Sequence, residues 1–207
     1  AVFEGKAPKL RQIKMDADPA CAEKHSAPVY PDVLVMGDGN TIANIMVQVT
    51  GVPAKAHTPP SDPVVIDQNG CRYEPHVAGV MVGQEVLFKN SDGILHNVHG
   101  LPKVNREFNI GMPATLKEKS TSFSKPEPHF PVKCDVHPWM KTYVSVLEHP
   151  YFDVTGTDGM FKIEGVPAGT YEVVAWHEKL GTQKATVTVG DGDTSADFTF
   201  KVPTKKK

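Results

Sequence analysis

Short runs in which apolar and polar residues alternate recur along this chain of 207 residues. Alternation with a period of two is typical of half-buried β-strands. The runs that show it are TIANIMVQVTG, GQEVLFKN, KTYVSVLE, GMFKIEG, GTYEVVAWHE, KATVTVG and ADFTFKV. Long helical periodicity is absent, and only MPATLKEKS has the composition for a turn or two of helix. Because 17 glycines and 18 prolines separate the strands in turn-like clusters, we predict an all-β protein built of sandwiches.

Charge and hydropathy exclude two classes of partner. The formal net charge is -2, with 22 basic and 24 acidic residues, so no basic excess favours nucleic acid. No run of 18 apolar residues occurs, and we expect no membrane-spanning helix. The Lys-rich end, KVPTKKK, is predicted to be a short solvated tail.

The C-terminal part of the chain, residues 150–207, is a regular meander that ends in this tail. Asp158-Gly159 is a tight-turn signal between alternating runs. The stretch TGTDGMFKIEGVPAGTYEV resembles the transthyretin-like, or carboxypeptidase-regulatory-like, β-sandwich. The resemblance implies that residues 150–207 form a second sandwich of that type.

That family begins with two earlier strands, which residues 140–150 do not supply. The N-terminal pieces AVFEGKAP and TIANIMVQVTG are able to supply them. We therefore predict that residues 62–149 form a module inserted into a split sandwich made of residues 1–61 and 150–207. Two domains in tandem, after a long N-terminal arm, are the alternative. Pairing of residues 44–50 with the strand around 171–176 distinguishes the two arrangements.

The loop KCDVHPWMK carries three metal donors, Cys134, His137 and Met140. A thiol, an imidazole and a thioether are soft or borderline ligands, and Pro138 stiffens the loop. A fourth ligand must come from elsewhere, and His96 is the natural supplier because it follows a strand and turn in GQEVLFKNSDGILHN. Two imidazoles, a thiolate and a weak thioether describe a blue-copper site. Zinc with a water ligand is the alternative, although the thioether favours copper.

The segments NSDGILHN and CDVHPWM together resemble the cupredoxin family, with the short ligand spacing of amicyanin-type members. The resemblance implies a Greek-key β-sandwich and one mononuclear type 1 copper held by His96, Cys134, His137 and Met140. It also implies that the backbone N–H of Asn97 donates to the Cys134 sulfur. The same segments hold further residues expected around the site: Asn90 before the turn, and Pro138 and Trp139, which we expect to line an apolar docking patch.

Other histidines compete for a place near this metal. His76 and His99 are candidates for a competing ligand or for a partner of the ligands. His96 and His99 are separated by an odd offset, so on one strand they point to opposite faces. His177, in AWHEKLG, is interpreted as a strand-end histidine that packs inward, with a place near the copper loop as the alternative.

The three cysteines indicate one disulfide and one special thiol. Cys21 and Cys71 lie in polar, loop-like contexts, DPACAEK and DQNGCRY, whereas Cys134 lies in the donor loop. We predict a Cys21–Cys71 disulfide and hence a periplasmic or otherwise exported protein. Two unrelated buried thiols are the alternative.

These features predict an electron carrier rather than an enzyme, because a second Cys-His loop is absent from the sequence. The resemblance implies a redox partner such as a c-type cytochrome. One rival function is a copper carrier or store with the same donors. Another is a structural β-sandwich protein in which the metal loop is incidental.

Overall fold

A computed structural model describes residues 1–15, 18–53 and 55–203 of the chain. The described chain is nearly all β, which confirms the predicted class, and its one α-helix is the short α1 (Pro19–Ala22). The strands are β1 (Val2–Phe3), β2 (Met46–Thr50), β3 (Val64–Asn69), β4 (Arg72–Glu74), β5 (Val77–Met81), β6 (Glu85–Asn90), β7 (His96–Gly100), β8 (Phe108–Met112), β9 (Glu118–Ser122), β10 (Glu127–Lys133), β11 (Lys141–Leu147), β12 (Phe152–Val154), β13 (Gly169–His177), β14 (Gly181–Val189) and β15 (Thr199–Phe200). A 3-10 turn spans Asp38–Asn40.

The chain divides into two compact units. The first unit comprises Ala1–Lys9, Asp32–Ala56 and Tyr151–Lys207, and the second comprises Leu10–Pro31 and His57–Pro150. The second unit contains the residues of the predicted inserted module, 62–149. It also contains residues 10–31, which the predicted boundaries assign to the split sandwich. The last residues of the predicted Lys-rich tail, 204–207, lie outside the described residues.

Two sheets build the second unit. One has the strand order β5-β11-β10-β7-β8 and the other β4-β3-β6-β9. Pairing is parallel between β5 and β11 and between β3 and β6, and antiparallel at the remaining ladders. Inward-facing side chains of both sheets, such as Ile66, Phe88, Val132 and Val144, share one buried cluster. Alternation along each strand therefore places apolar residues in a common core.

The loop that carries Cys134, His137 and Met140, called the ligand loop, connects the two strands of an antiparallel hairpin. Strands β10 and β11 pair up to Lys133 and Lys141, so the seven residues between them form the connection. Two backbone hydrogen bonds tighten it: Cys134 N–H donates to the Met140 carbonyl at 3.2 Å, and Met140 N–H donates to the His137 carbonyl at 2.9 Å. Because β7 pairs with β10, with His99 opposite Lys133, the start of β7 lies beside this loop.

The first unit is a four-stranded sheet, in the order β12-β2-β13-β14, with a small parallel pair formed by β1 and β15. Strand β2 pairs antiparallel with β13, from Met46 opposite Trp176 to Thr50 opposite Glu172. Both N-terminal pieces, AVFEGKAP and TIANIMVQVTG, thus contribute strands to this unit. This pairing is compatible with the predicted insertion of residues 62–149.

Two local predictions were wrong. GMFKIEG is not a strand, because its backbone has no neighbouring strand and Lys162 N–H donates instead to the Asp153 carboxylate at 2.7 Å. Its alternation still serves packing, since Phe161 and Ile163 lie against the core of the first unit. MPATLKEKS is not helical either: it forms one turn, closed by Leu116 N–H to the Pro113 carbonyl, before β9 begins.

The expected turn at Asp158-Gly159 is present in the first unit. Gly159 N–H donates to the Gly156 carbonyl at 2.9 Å, and the backbone of Gly159 is left-handed, with φ of 69°. A Cβ at residue 159 would lie 2.5 Å from the Ala1 carbonyl oxygen, so both the conformation and the space require glycine.

No helix within residues 1–15, 18–53 and 55–203 has the length and apolar character needed to cross a membrane.

A buried carboxylate stabilises one loop of the second unit. Glu127 accepts the backbone N–H groups of Lys103 and Asn105, the latter at 2.8 Å. Burial raises the pKa of Glu127, but these hydrogen bonds outweigh burial and hold the pKa below its ordinary value. The carboxylate therefore stabilises the fold above the pKa of the unfolded chain, about 4.3, and this contribution is lost as the pH falls below that value.

Replacing Glu127 with Gln is expected to lower the free energy of unfolding by about 1–3 kcal/mol at pH 7. The difference from the original protein should shrink as the pH falls below about 4.3, because the carboxylate then progressively loses the stabilisation that ionisation gives the folded protein. Denaturant unfolding at the two pH values measures this. Glu118→Gln, at an exposed position of β9, is the control and should change stability by less than about 0.5 kcal/mol. Equal losses for Glu127→Gln at both pH values would contradict the assignment.

Candidate metal centre

Three buried donor atoms face one another in the second unit. His96 Nδ1 lies 2.9 Å from His137 Nδ1, and the Cys134 Sγ lies 4.0 Å from the first and 3.7 Å from the second. The three residues are at most 1% exposed. His96 begins β7, and the other two lie in the loop between β10 and β11, so the β7–β10 pairing brings them together.

Each histidine is held from behind by a carboxylate. His96 Nε2 donates to Asp92 Oδ2 at 2.9 Å, and His137 Nε2 donates to Asp18 Oδ2 at 2.8 Å. An ionised carboxylate only accepts hydrogen bonds, so the proton of each neutral imidazole is on Nε2 and Nδ1 presents a lone pair. Two lone pairs 2.9 Å apart repel each other unless a cation lies between them. The arrangement therefore suits a bound metal ion.

The pKa shifts of the Cys134 thiol and the His96 imidazole also suit a bound metal ion. Burial raises the pKa of Cys134, but His96, the backbone N–H of Asn97 and His137 outweigh burial and lower the pKa to about 7. Burial likewise lowers the pKa of His96, but Asp92 and Cys134 outweigh it and raise the pKa. The cavity between these atoms thus favours positive charge and offers a thiolate near neutral pH.

The donor set fits a single first-row transition metal. Its spacings leave room for one ion at bond lengths of about 2.0–2.3 Å to nitrogen and sulfur. Met140 is 1% exposed and ends the same loop, where its backbone closes onto Cys134 and His137. Two imidazoles, a thiolate and a thioether are the ligand types that copper accepts in a trigonal site with a weak axial donor.

Asn90 and Asp92 hold the turn before His96. The Asn90 side chain donates to the carbonyls of Ile94 and Met112, at 2.8 and 2.9 Å, which closes the turn. Asp92 accepts the backbone N–H groups of Gly70 and Cys71, both at 2.8 Å, in addition to His96. Burial raises the pKa of Asp92, but its hydrogen bonds outweigh burial and lower the pKa to about 2, so it is charged at neutral pH.

Asn97 joins β7 to the ligand loop. Its side-chain oxygen accepts Asp135 N–H at 2.7 Å, and its amide donates to the Asp135 carboxylate at 3.1 Å. The Asn97 carbonyl accepts the Tyr73 hydroxyl at 2.6 Å, and burial raises the pKa of Tyr73, so the phenol stays a neutral donor. A hydrogen bond from the backbone N–H of Asn97 to Cys134 is one of the causes that lower the pKa of this thiol.

Trp139 and Pro138 differ in position. The Trp139 ring lies 5.2 Å from the His137 ring, centre to centre, and its Nε1 donates to the Cys71 carbonyl at 3.0 Å. Pro138 is exposed.

Cys21 and Cys71 form a disulfide with an S–S distance of 2.00 Å, and its two sulfurs lie within 4.8 Å of a ring nitrogen of His137.

Three other candidate histidines are engaged elsewhere. His99 is partly exposed and hydrogen bonds to Asp135 at 2.8 Å and Glu107 at 3.2 Å. His76 donates to the Lys141 carbonyl at 3.0 Å and packs edge-on against Tyr143. In the first unit, His177 is buried and its Nδ1 accepts the backbone N–H groups of Lys179 and Leu180, both at 3.1 Å.

Sequence reasoning missed the two carboxylates behind the histidines. Asp92 carries a local signal, since it lies four residues before His96 in the quoted NSDGILHN segment. Asp18 carries a weaker one: followed by Pro19, it has the pattern of a helix N-cap, and its side chain does accept Ala20 N–H. No local pattern indicates that it reaches His137, which is 119 residues away.

Fold and site together define an all-β protein with a buried cluster of two histidines and one cysteine. Between 40% and 49% of the chain matches each of three solved structures. A Cu-containing nitrite reductase (NirK) from Thermus scotoductus SA-01 matches at 26% identity and a TM-score of 0.37, over 49% of this chain and 26% of that one. A single-site mutant of amicyanin in the oxidized state matches at 23% identity and a TM-score of 0.37, over 48% and 97% of the chains. A purple cupredoxin from Nitrosopumilus maritimus matches at 21% identity and a TM-score of 0.34, over 40% and 98%.

This chain spans about a quarter of the length of the nitrite reductase. No family model and no curated protein matches the sequence.

Proposed function

We propose that this protein is an exported type 1 copper protein that carries single electrons between redox partners. His96, Cys134, His137 and Met140 would hold the copper. The observation that carries the proposal is the convergence of two Nδ1 atoms and one sulfur, with both Nε2 atoms held by carboxylates. Copper bound there would supply one-electron redox chemistry.

The residues around the donors suit rapid electron transfer because they hold the donors still. Both imidazoles are fixed from behind by Asp92 and Asp18, and the loop is closed by its own backbone hydrogen bonds. A site whose ligands are locked by packing and hydrogen bonds rearranges little when the charge within it changes. The thiolate suits a soft or borderline metal, and the thioether of Met140 favours copper over zinc.

Burial of the donors favours an electron carrier over a copper carrier or store. A protein that exchanges its metal needs a ligand that an incoming partner reaches, whereas Cys134 and His137 are each 1% exposed and His96 is 0% exposed. An incidental metal loop in a structural sandwich is disfavoured for another reason. Asp92 and Asp18 also accept backbone N–H groups, but packing alone gives no reason for two imidazole Nδ1 atoms and a thiol to face one another in a buried site.

Exposed apolar residues lie beside both histidines and offer a docking surface for a redox partner. Leu95 and Val136 are about half exposed, at 52% and 45%, and each precedes one histidine ligand, so apolar surface lies next to both. Redox encounters are small and transient, and we propose docking of a redox protein such as a c-type cytochrome there. The buried Cys21–Cys71 disulfide supports an oxidising compartment such as the periplasm.

We further propose that the first unit is a transthyretin-like sandwich into which the copper module is inserted.

Copper loading tests the function. The oxidised protein should bind one copper per chain and absorb visible light intensely through the thiolate. It should lose that colour on uptake of one electron and regain it on reoxidation. The bound copper should also remain in place through a challenge with a Cu(I) chelator on the timescale of electron exchange with a cytochrome. A colourless Cu(II) protein, or rapid loss of copper to the chelator, would contradict the proposal and favour a carrier or store.

A further inference from the structure

A short segment near the N-terminus packs against the outer side of the metal centre. This segment, residues 18–25, is called the arm; it contains α1 and is attached to the rest of the second unit at three points. Cys21 forms the disulfide with Cys71, His25 Nε2 donates to the Gly70 carbonyl at 2.7 Å, and Lys24 Nζ reaches Asp92. Both cysteines are fully buried, so the disulfide lies in the core of the second unit.

Asp18 is the arm residue that reaches the site. One of its oxygens, Oδ1, accepts Ala20 N–H at 3.0 Å and caps α1, while Oδ2 accepts His137 Nε2–H at 2.8 Å. The two bonds use different oxygens, so the cap fixes the carboxylate in the orientation that the imidazole needs. His137 is 2% exposed at its side chain, and Asp18 is 32% exposed, so the carboxylate forms the outer wall of this side of the site.

The arm contacts the other histidine indirectly. Lys24 Nζ lies 3.1 Å from Asp92 Oδ1 and 3.0 Å from the Asp92 carbonyl, and Asp92 holds His96 Nε2. The arm thus supplies the carboxylate that holds His137 and also contacts the carboxylate that holds His96. Cys71, the residue to which it is bonded, also donates its backbone N–H to Asp92.

We infer that Asp18 is a positioning residue for the metal ligand His137, delivered by the disulfide-anchored arm; this inference rests on the proposed copper site. By accepting the Nε2–H, Asp18 keeps the proton away from Nδ1, prevents rotation of the ring and makes Nδ1 a better donor. The ligand loop does not do this by itself, because its own backbone bonds fix Cys134 and Met140 but leave the imidazole edge unpartnered. Loss of such a partner typically weakens metal binding about 10- to 100-fold.

Asp18→Ser separates positioning from helix capping. Serine is as good an N-cap as aspartate, so α1 keeps its cap, but its side chain is too short to reach His137. Asp18→Asn keeps an acceptor oxygen and should give an intermediate result. The control is His25→Ala, which removes another anchor of the arm, the bond to the Gly70 carbonyl, without touching a ligand or its carboxylate.

Two measurements on the full chain test the role. The first is Cu(I) affinity, by competition with a chelator of known affinity; we expect Asp18→Ser to weaken it about 10- to 100-fold and His25→Ala to change it less than about threefold. The second is the NMR signal of the His137 Nε2–H in the Cu(I) protein labelled with ¹⁵N-histidine. This proton should exchange slowly in the original protein and be lost to exchange in Asp18→Ser.

Unchanged affinity together with an unchanged Nε2–H signal in Asp18→Ser would overturn the inference. So would equal weakening by His25→Ala, because the arm as a whole rather than the carboxylate would then be responsible. Neither the Cu(I) affinity nor the Nε2–H signal depends on the visible colour of the oxidised protein, so the two proposals are tested separately. A colourless protein whose Cu(I) affinity depends on Asp18 contradicts only the electron carrier, whereas a blue protein insensitive to Asp18→Ser contradicts only the positioning role.

Discussion

Replacing Cys134 with serine is expected to abolish the intense visible absorption of the oxidised, copper-loaded protein. The absorption would arise from a bond between the Cys134 thiolate and Cu(II), and a serine hydroxyl is neither ionised near neutral pH nor a soft donor. Copper affinity should fall by more than about 100-fold, since loss of a residue that only supports a ligand costs about 10- to 100-fold. The visible spectrum and a chelator competition measure the two effects.

His99→Asn is the matched control for this experiment. His99 lies three residues after His96 and is the histidine that competes with it in the sequence, but it hydrogen bonds to Asp135 and Glu107 instead. The variant should keep both the absorption and the affinity. If colour is lost in His99→Asn and retained in Cys134→Ser, the assignment of the ligands is wrong. Far-UV circular dichroism of both variants checks that the sheets are intact.

Removing the disulfide is expected to cause the largest loss of stability. Cys21 and Cys71 are separated by 50 positions, and closing a loop of that length in the unfolded chain is worth about 4 kcal/mol in the loop-entropy estimate. The double variant Cys21→Ser with Cys71→Ser should therefore lower the free energy of unfolding of the second unit by about 2–5 kcal/mol. Denaturant unfolding followed separately for each transition measures it, because two units need not unfold together.

The double alanine variant at the same positions is the control. It lacks the disulfide but buries no hydroxyl groups, so the difference between the two variants gives the cost of the buried hydroxyls alone. Both variants should be destabilised, and the original protein treated with a thiol reductant in denaturant should unfold like them. A change of less than about 1 kcal/mol in the alanine variant would show that the disulfide does not stabilise this unit.

Strand positions were predictable where alternation coincided with a pairing partner. GQEVLFKN, KTYVSVLE and GTYEVVAWHE became β6, β11 and β13 because each has neighbours on the sheet. GMFKIEG has the same alternation but no neighbour, and its backbone donates to a side chain instead. Alternation reports which face of a segment is buried; whether the segment is a strand depends on what lies beside it.

The turn or two of helix that the composition of MPATLKEKS allowed did not form, for a related reason. MPATLKEKS has residues that favour helices, yet it leads into β9, whose pairing with β6 outweighs local propensity. The helix that does form, α1, has only four residues, too few for a periodic pattern, and depends on the Asp18 cap and the Cys21–Cys71 disulfide.

The sequence by itself determined the all-β class and placed Cys134, His137 and Met140 in one loop, because alternation and ligand spacing are local properties of the chain. It also indicated His96 through the turn that precedes it. Only the tertiary structure decided that residues 10–31 belong to the second unit and that Asp18 supports His137. The reason is physical: a hydrogen bond between residues 119 positions apart depends on a disulfide and on strand pairing that bring distant segments together, and neither side chain carries a local pattern of that contact.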